Sequence, residues 1–336
     1  MGAAIDRLFS VSDAFDSPVT VGVLIGVGVV LLLVPLTIEG LSRAGRLDTA
    51  KRSEIYVRYA SWLVMIPAMF APVLLGAGCT ILAIGVLSLL CYREFARATG
   101  FFRNRLISAA VVIGILAMTF ASYDHWYNLF VALPSLTVLL IVIVALAKDE
   151  PQGYIQRVAL GVLSVLMFGV CFGHLGYIAN DVEYRPIIIL IVLCVEANDV
   201  FAFITGTMFG RKQLAPATSP NKTLGGCLGA IVLTTALFAA LGHAVFQGTS
   251  LDSPAHLIIM GAMLSIVGQF GDLVMSSIKR DLGIKDMGVL IPGHGGLLDR
   301  FDSLMFVAPA MFHYIGYFQG FGLDQSTRII TGAGGG

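Results

Sequence analysis

Ten long apolar runs limit what this chain can fold into. They fall at about 20–38, 59–75, 77–91, 106–122, 128–147, 158–178, 186–205, 227–246, 256–275 and 303–321. Each approaches the roughly 20 residues that carry an α-helix across the hydrocarbon layer of a bilayer. Lipid offers no partner to backbone N–H and C=O groups, so helices are the expected element. Composition agrees, with 57% hydrophobic and only 12% charged residues, about half the charge of ordinary soluble domains. The sequence predicts an all-α integral membrane protein, a polytopic bundle of about ten transmembrane helices with no sizeable soluble domain. The expected division is a scaffold of about six spans over 1–190, a chemically richer region over 191–321 and a flexible tail over 322–336. The richer region carries loops 206–226 and 276–302.

Loop charge gives an orientation. One alternating set of loops (39–58, 92–105, 148–157, 206–226 and 276–302) holds 18 of the 21 Lys and Arg, and only Arg7, Arg185 and Arg328 fall elsewhere. Basic loops stay in the cytoplasm, so this set is expected there and both termini outside, in a multi-pass protein of a bacterial inner membrane. The first 19 residues include Asp6, Arg7, Asp13 and Asp16. That is not a basic leader, and no cleavable signal peptide is expected. The net charge is zero, which gives no electrostatic case for a nucleic-acid partner. Cys79, Cys91, Cys171, Cys194 and Cys227 are scattered and read as small apolar residues, not as disulfides or zinc ligands.

Charge inside a span is costly and points to function. Glu196, Asn198 and Asp199 lie in the seventh run, with Gln269 and Asp272 in the ninth. Both sets are expected toward the cytoplasmic ends of their spans. They approach two polar loops. One contains Ser219, Asn221, Lys222 and Thr223. The other runs from Lys279 and Arg280 through Lys285, Asp286, His294, Gly295 and Gly296 to Asp299, Arg300 and Asp302. Asp199, Asp272, Asp299 and Asp302 are hard oxygen ligands that suit Mg²⁺ better than zinc. Ser219, Asn221, Lys222, Lys279, Arg280, Lys285 and Arg300 offer donors for phosphate. Gly293, Gly295 and Gly296 let backbone N–H groups approach an anion. This combination suits phosphoryl or nucleotidyl transfer. His294 reads either as a general base or as a hydrogen-bonding residue of the turn. The basic residues also read as topology anchors. There is no GxxxxGK[ST], HExxH or GxSxG, which argues against a soluble-type ATPase, a zinc protease and a serine hydrolase.

The stretch Ser276–Asp302 reads SSIKRDLGIKDMGVLIPGHGGLLDRFD. It closely resembles the signature of the phosphatidate cytidylyltransferases (CDP-diacylglycerol synthases): S-x-hydrophobic-K-R, four residues, K-D, an apolar-P-x-H-G-G and D-R-x-D. Asn198-Asp199, Phe209–Arg211 and Ser219–Thr223 are similar to the family's upstream block, and Tyr92–Phe95 (YREF) to a shorter one. The resemblance covers about 196–321 well. It implies the reaction of CTP with phosphatidate, giving CDP-diacylglycerol and pyrophosphate at the cytoplasmic membrane face. It also implies Mg²⁺ held through Asp272 and Asp299, a neighbouring monovalent cation such as K⁺, and a homodimer. The chain departs from the family at Leu224 and Gly225, where Trp-Glu is common, and at Met275, where many members carry Glu. Those departures put a related lipid phosphate in play as acceptor. A CTP-dependent lipid kinase of the polyprenol type, an ion-coupled transporter using Glu196, Asp199 and Asp272, and a scaffold without catalysis are the alternative readings.

Overall fold

The computed structural model describes residues 8–147, 149–321 and 328–332. Among the described residues, ten long helices carry the fold: α1 (Pro18–Arg43), α2 (Thr49–Leu75), α3 (Ala77–Ala98), α4 (Arg105–Tyr123), α5 (Tyr127–Leu146), α6 (Tyr154–Ile178), α7 (Tyr184–Phe209), α8 (Leu224–Val245), α9 (Pro254–Asp281) and α10 (Leu298–Phe318). Helix α6 widens into a π-helical stretch at Val165–Cys171. Pro18 and Pro254 open α1 and α9, where a missing N–H costs nothing. The side chains of Asp48, Thr223 and Ser253 cap α2, α8 and α9, each satisfying one backbone N–H that the first turn leaves free. Gly76, with φ of 139°, makes the abrupt turn from α2 into α3.

Nine of these helices are long and apolar enough to cross a membrane. Many exposed side chains on them are large and apolar, such as Leu32, Val64, Phe203 and Val232. In water that surface would drive aggregation; against lipid it is the ordinary outer face of a spanning helix. The tenth apolar run also folds as a helix, α10, but falls outside the nine. Asp299, Arg300 and Asp302 occupy its first turns, and Pro309 and His313 interrupt its apolar run. It is an interior helix, packed on α9, α6, α7 and α3, with Leu304, Met305, Val307, Ala308 and Met311 fully enclosed or nearly so. Burial by protein lets it carry more polar residues than a lipid-facing span.

Two features differ from the sequence expectation. Helices extend beyond their apolar runs because polar residues continue the backbone ladder past the greasy segment. Helix α7 therefore runs to Phe209, and Glu196 and Asp199 lie near the middle of its 26 residues, deeper than the apolar boundaries suggest. The second feature is a hairpin between α7 and α8: β1 (Gln213–Ala215) pairs antiparallel with β2 (Ser219–Thr223).

Helices α7, α8, α9 and α10 pack in succession, and small residues set the spacing. A side chain at Gly229 of α8 would run into Thr205 of α7, and one at Gly226 would stand 2.7 Å from the Ala202 carbonyl. Close backbone approach is how helices associate where lipid supplies no hydrophobic drive. The buried Asn198 ties three of them together: its Oδ1 accepts from Thr234 Oγ1 of α8 (3.3 Å) and from Ser265 Oγ of α9 (2.5 Å). The five cysteines are free thiols, with Cys91 and Cys194 buried. Residues 328–332 dock on the α4–α5 connection, where the Ile330 and Thr331 amides donate to Asp124 Oδ1 at 2.5 and 3.1 Å. The rest of the segment expected as a tail, 322–327 and 333–336, lies outside the described residues.

Candidate active site

The hairpin, the C-terminal half of α9 and the first turns of α10 meet at two lysine–carboxylate pairs. Lys222 on β2 reaches Asp272 on α9, Nζ to Oδ2 at 2.5 Å. Asp272 Oδ1 accepts from Ser276 Oγ, one helical turn later, at 3.2 Å. Lys279 on α9 reaches Asp299 on α10, Nζ to Oδ1 at 2.8 Å. The Asp299 side chain is only 3% exposed. Its second oxygen accepts from the Met287 N–H at 2.8 Å and the Gly296 N–H at 3.0 Å. A buried carboxylate is tolerable only with such partners.

The signature loop, residues 282–297, is shaped to make these contacts. Ile291 and Gly295 form an isolated bridge. Gly293 and Gly295 sit at φ of 73° and 83°, a region that side chains disfavour. At Gly296 the limit is space, since a Cβ would stand 2.7 Å from the Gly288 amide and 3.0 Å from Asp299 Oδ2. The anion that the Gly296 N–H meets here is therefore the protein's own Asp299. Ser61 of α2 holds the loop from outside, donating to the Pro292 carbonyl at 2.7 Å.

Further carboxylates complete the cluster. The buried Asp302 lies within electrostatic range of Asp272, Lys279 and Asp199. Asp199 lies in range of Asp272, Lys222 and Arg300, and Glu196 in range of Asp199 and Arg300. Arg300 Nε is buried with no hydrogen-bond partner among the described residues, a donor ready for an anion. Asp199, Asp272, Asp299 and Asp302 outnumber Lys222, Lys279 and Arg300. Oxygen ligands with that excess of negative charge suit a hard divalent cation. Among the described residues, no three His, Cys, Asp or Glu side chains are gathered into a ready metal cage, and the lysine ammonium groups neutralise two of the carboxylates.

Other residues singled out by sequence stand elsewhere. Ser219 and Asn221 alternate with Lys222 along β2, so strand geometry aims them to the opposite face. Arg280 is engaged with the hairpin turn, Nε donating to the Thr218 carbonyl at 3.2 Å. Lys285 is exposed. His294 is half-buried, edge-on to Trp62. Burial holds its pKa below the usual histidine value, and the charges of Arg300 and Arg58 push in the same direction. Asn198 serves the helix packing described above.

Sequence reasoning gave no role to Glu94, from the YREF stretch on α3. Glu94 Oε1 accepts from the Leu297 N–H at 3.1 Å and Oε2 from the Leu298 N–H at 2.9 Å. It thus satisfies backbone donors at the start of α10, next to Asp299. Its signal in the sequence was an acidic residue at the polar end of an apolar run.

The departures from the family pattern have structural counterparts. A side chain at Gly225 would press on the Phe209 carbonyl oxygen at 2.7 Å, so this backbone excludes the family's common acidic residue there. Met275 is buried and apolar, in contact with the core.

Residues 56–318, from early α2 to the end of α10, match the family described as the cytidylyltransferase family. A protein of Escherichia coli named Uncharacterized protein YnbB is 28% identical over 85% of this chain and 95% of its own length. The phosphatidate cytidylyltransferase of Bacillus subtilis is 36% identical over 64% of this chain and 81% of its own length. That of Staphylococcus haemolyticus is 31% identical over 72% and 92%. The matched segment contains the hairpin lysine, the signature loop and both lysine–carboxylate pairs. The chain belongs to the cytidylyltransferase family, and its chemistry is nucleotidyl transfer.

Proposed function

We propose that this protein is a phosphatidate cytidylyltransferase of phospholipid biosynthesis. It joins CTP and phosphatidate, releasing CDP-diacylglycerol and diphosphate. The observation that carries this reading is the convergence of Lys222–Asp272 and Lys279–Asp299 on one site, inside the segment that matches the family.

The chemistry fits these residues. A phosphatidate oxygen, ionised at neutral pH, attacks the α-phosphorus of CTP. A new P–O bond forms, the bond to the β-phosphate oxygen breaks, and diphosphate leaves with its electron pair. No strong base is needed, because the attacking oxygen is already ionised. The obstacle is repulsion between two polyanions, CTP at about −4 and a phosphomonoester at about −1.5 to −2, in surroundings that screen charge poorly. Lys222, Lys279 and Arg300 lower that barrier by placing positive charge around the reacting phosphates. Asp272, with Asp299, Asp302 and Asp199, would hold Mg²⁺, which supplies further charge neutralisation; K⁺ is the monovalent companion. Arg280 and Lys285 would add positive charge around the site, and the Gly296 amide serves it indirectly, by holding Asp299.

An apolar acceptor is supported by the groove beside the loop. A cavity of about 500 Å³ runs between α2 (Val57, Val64, Ala68) and the loop residues Leu290, Ile291 and Leu297. A lipid phosphate can present its headgroup to the polar cluster while its tails stay in such surroundings. The placement we infer is the inner membrane, with loops 206–226 and 276–302 in the cytoplasm and a homodimer as the assembly.

The test uses purified protein in detergent with phosphatidate, Mg²⁺ and CTP labelled in turn at the α- and γ-phosphate. Cytidylyl transfer sends the α-label into lipid and the γ-label into diphosphate. The reverse pattern, γ-label in lipid with CDP released, would make it a lipid kinase and end this reading.

A further inference from the structure

We propose that Glu94 is a positioning residue for the transfer reaction, acting through the backbone that orients Asp299. The inference rests on the cytidylyl-transfer reading and adds to it a residue from the N-terminal half.

Glu94 uses both carboxylate oxygens on consecutive N–H groups, Leu297 at 3.1 Å and Leu298 at 2.9 Å. These N–H groups open α10, where the helix dipole favours an anion. The neighbouring Gly296 N–H is thereby aimed at Asp299 Oδ2, alongside that of Met287. With Oδ2 held by two amides, Oδ1 is presented to Lys279 at 2.8 Å. Moving Glu94 frees the first turn of α10 and lets the Asp299 carboxylate rotate.

The loop is built around this carboxylate. A Cβ on Gly288 would stand 2.5 Å from Glu94 Oε1 and 2.7 Å from its Cδ, and one on Gly296 would stand 2.6 Å from Glu94 Oε2. At Gly288 the three nearest atoms all belong to Glu94, so admitting Glu94 is the reason for glycine there. Glu94 is itself held by a fixed face of α3. Tyr92 bonds Ser108 Oγ through its hydroxyl at 2.6 Å, and the buried Phe95 packs on Phe168. A group that contacts neither substrate nor metal but fixes one that does commonly affects activity about 10- to 100-fold.

The experiment compares the full chain in detergent with Glu94→Gln, Glu94→Ala, Gly288→Ala and the double variant Glu94→Ala/Gly288→Ala. Amide exchange is read over residues 286–301, together with the unfolding temperature and the steady-state constants. In Glu94→Gln one oxygen becomes an amide NH₂ that faces a backbone donor. The expected results are faster exchange at Leu297 and Leu298 and a kcat about 10- to 100-fold lower. KM for CTP should be little changed, because Lys222 and the hairpin are untouched. Gly288→Ala should lower kcat by a similar factor, and the double variant should be no slower than Glu94→Ala alone. Unchanged exchange, a retained kcat, or a double variant with multiplied losses would each overturn the proposal. A wild-type protein inert toward CTP would instead sink the functional reading, and the exchange contrast would then decide the clamp by itself.

Discussion

Lys222 and Lys279 each meet a carboxylate, but the two pairs differ in kind. Asp272 is partly open, while Asp299 is enclosed and triply bonded. The first pair is the more open to a substrate phosphate, and the role we propose for Lys222 is on the nucleotide side. Lys222→Ala should raise KM for CTP more than KM for phosphatidate; steady-state kinetics with each substrate varied in turn checks this, and the opposite order would move Lys222 to the lipid side. Much of this cluster was legible in sequence because Ser276–Asp302 concentrates its polar residues in one short stretch. Glu94 was not legible as a partner. It meets Leu297 across 203 residues of chain, and no local pattern records a contact of that range. Asn198 was visible as a polar residue in an apolar run, yet its role in joining α7, α8 and α9 depends on Thr234 and Ser265, which look unremarkable where they stand.

At the scale of elements, hydrophobic run length located the ten helices but not their ends. The apolar pattern marks only the greasy segment, whereas the backbone ladder continues through residues such as Lys279 and Arg280 on α9. The hairpin was hidden because Ala215 to Pro220 carries two prolines and reads as plain loop; its pairing is supplied by the closure between α7 and α8. That closure depends on small residues. Gly229→Val should force α8 away from Thr205 and destabilise the protein by about 1–3 kcal/mol, the usual cost of overpacking a tight interface. A thermal scan in detergent reads this as a lower unfolding temperature. Since the hairpin hangs between the same two helices, the variant should also weaken the Lys222–Asp272 contact. An unfolding temperature equal to that of wild type would show that the α7–α8 spacing has slack.

For the whole molecule, the orientation we propose puts the basic loops and the polar cluster on the cytoplasmic face, as a site drawing a soluble nucleotide and a membrane lipid requires. With the cluster cytoplasmic, Lys285→Cys should resist an impermeant maleimide applied to intact cells and react once they are opened. Val182→Cys, on the α6–α7 connection, should react in intact cells. A reversed pattern would invert the orientation. The expected orientation rests on loop charge, with 18 of 21 basic residues in alternate loops; the interior place of α10 was not legible in the sequence, because burial by protein and burial by lipid leave similar apolar runs. The central claim is that the enclosed Asp299, held by Lys279 and two loop amides, is indispensable for moving a cytidylyl group to lipid. The measurement that tests it most directly is transfer of α-labelled CTP to phosphatidate by wild type and Asp299→Asn, purified side by side with matched helical content by circular dichroism. The account predicts label in lipid with wild type, blocked by EDTA, and none above background with Asp299→Asn. Equal transfer by a well-folded Asp299→Asn protein would contradict it.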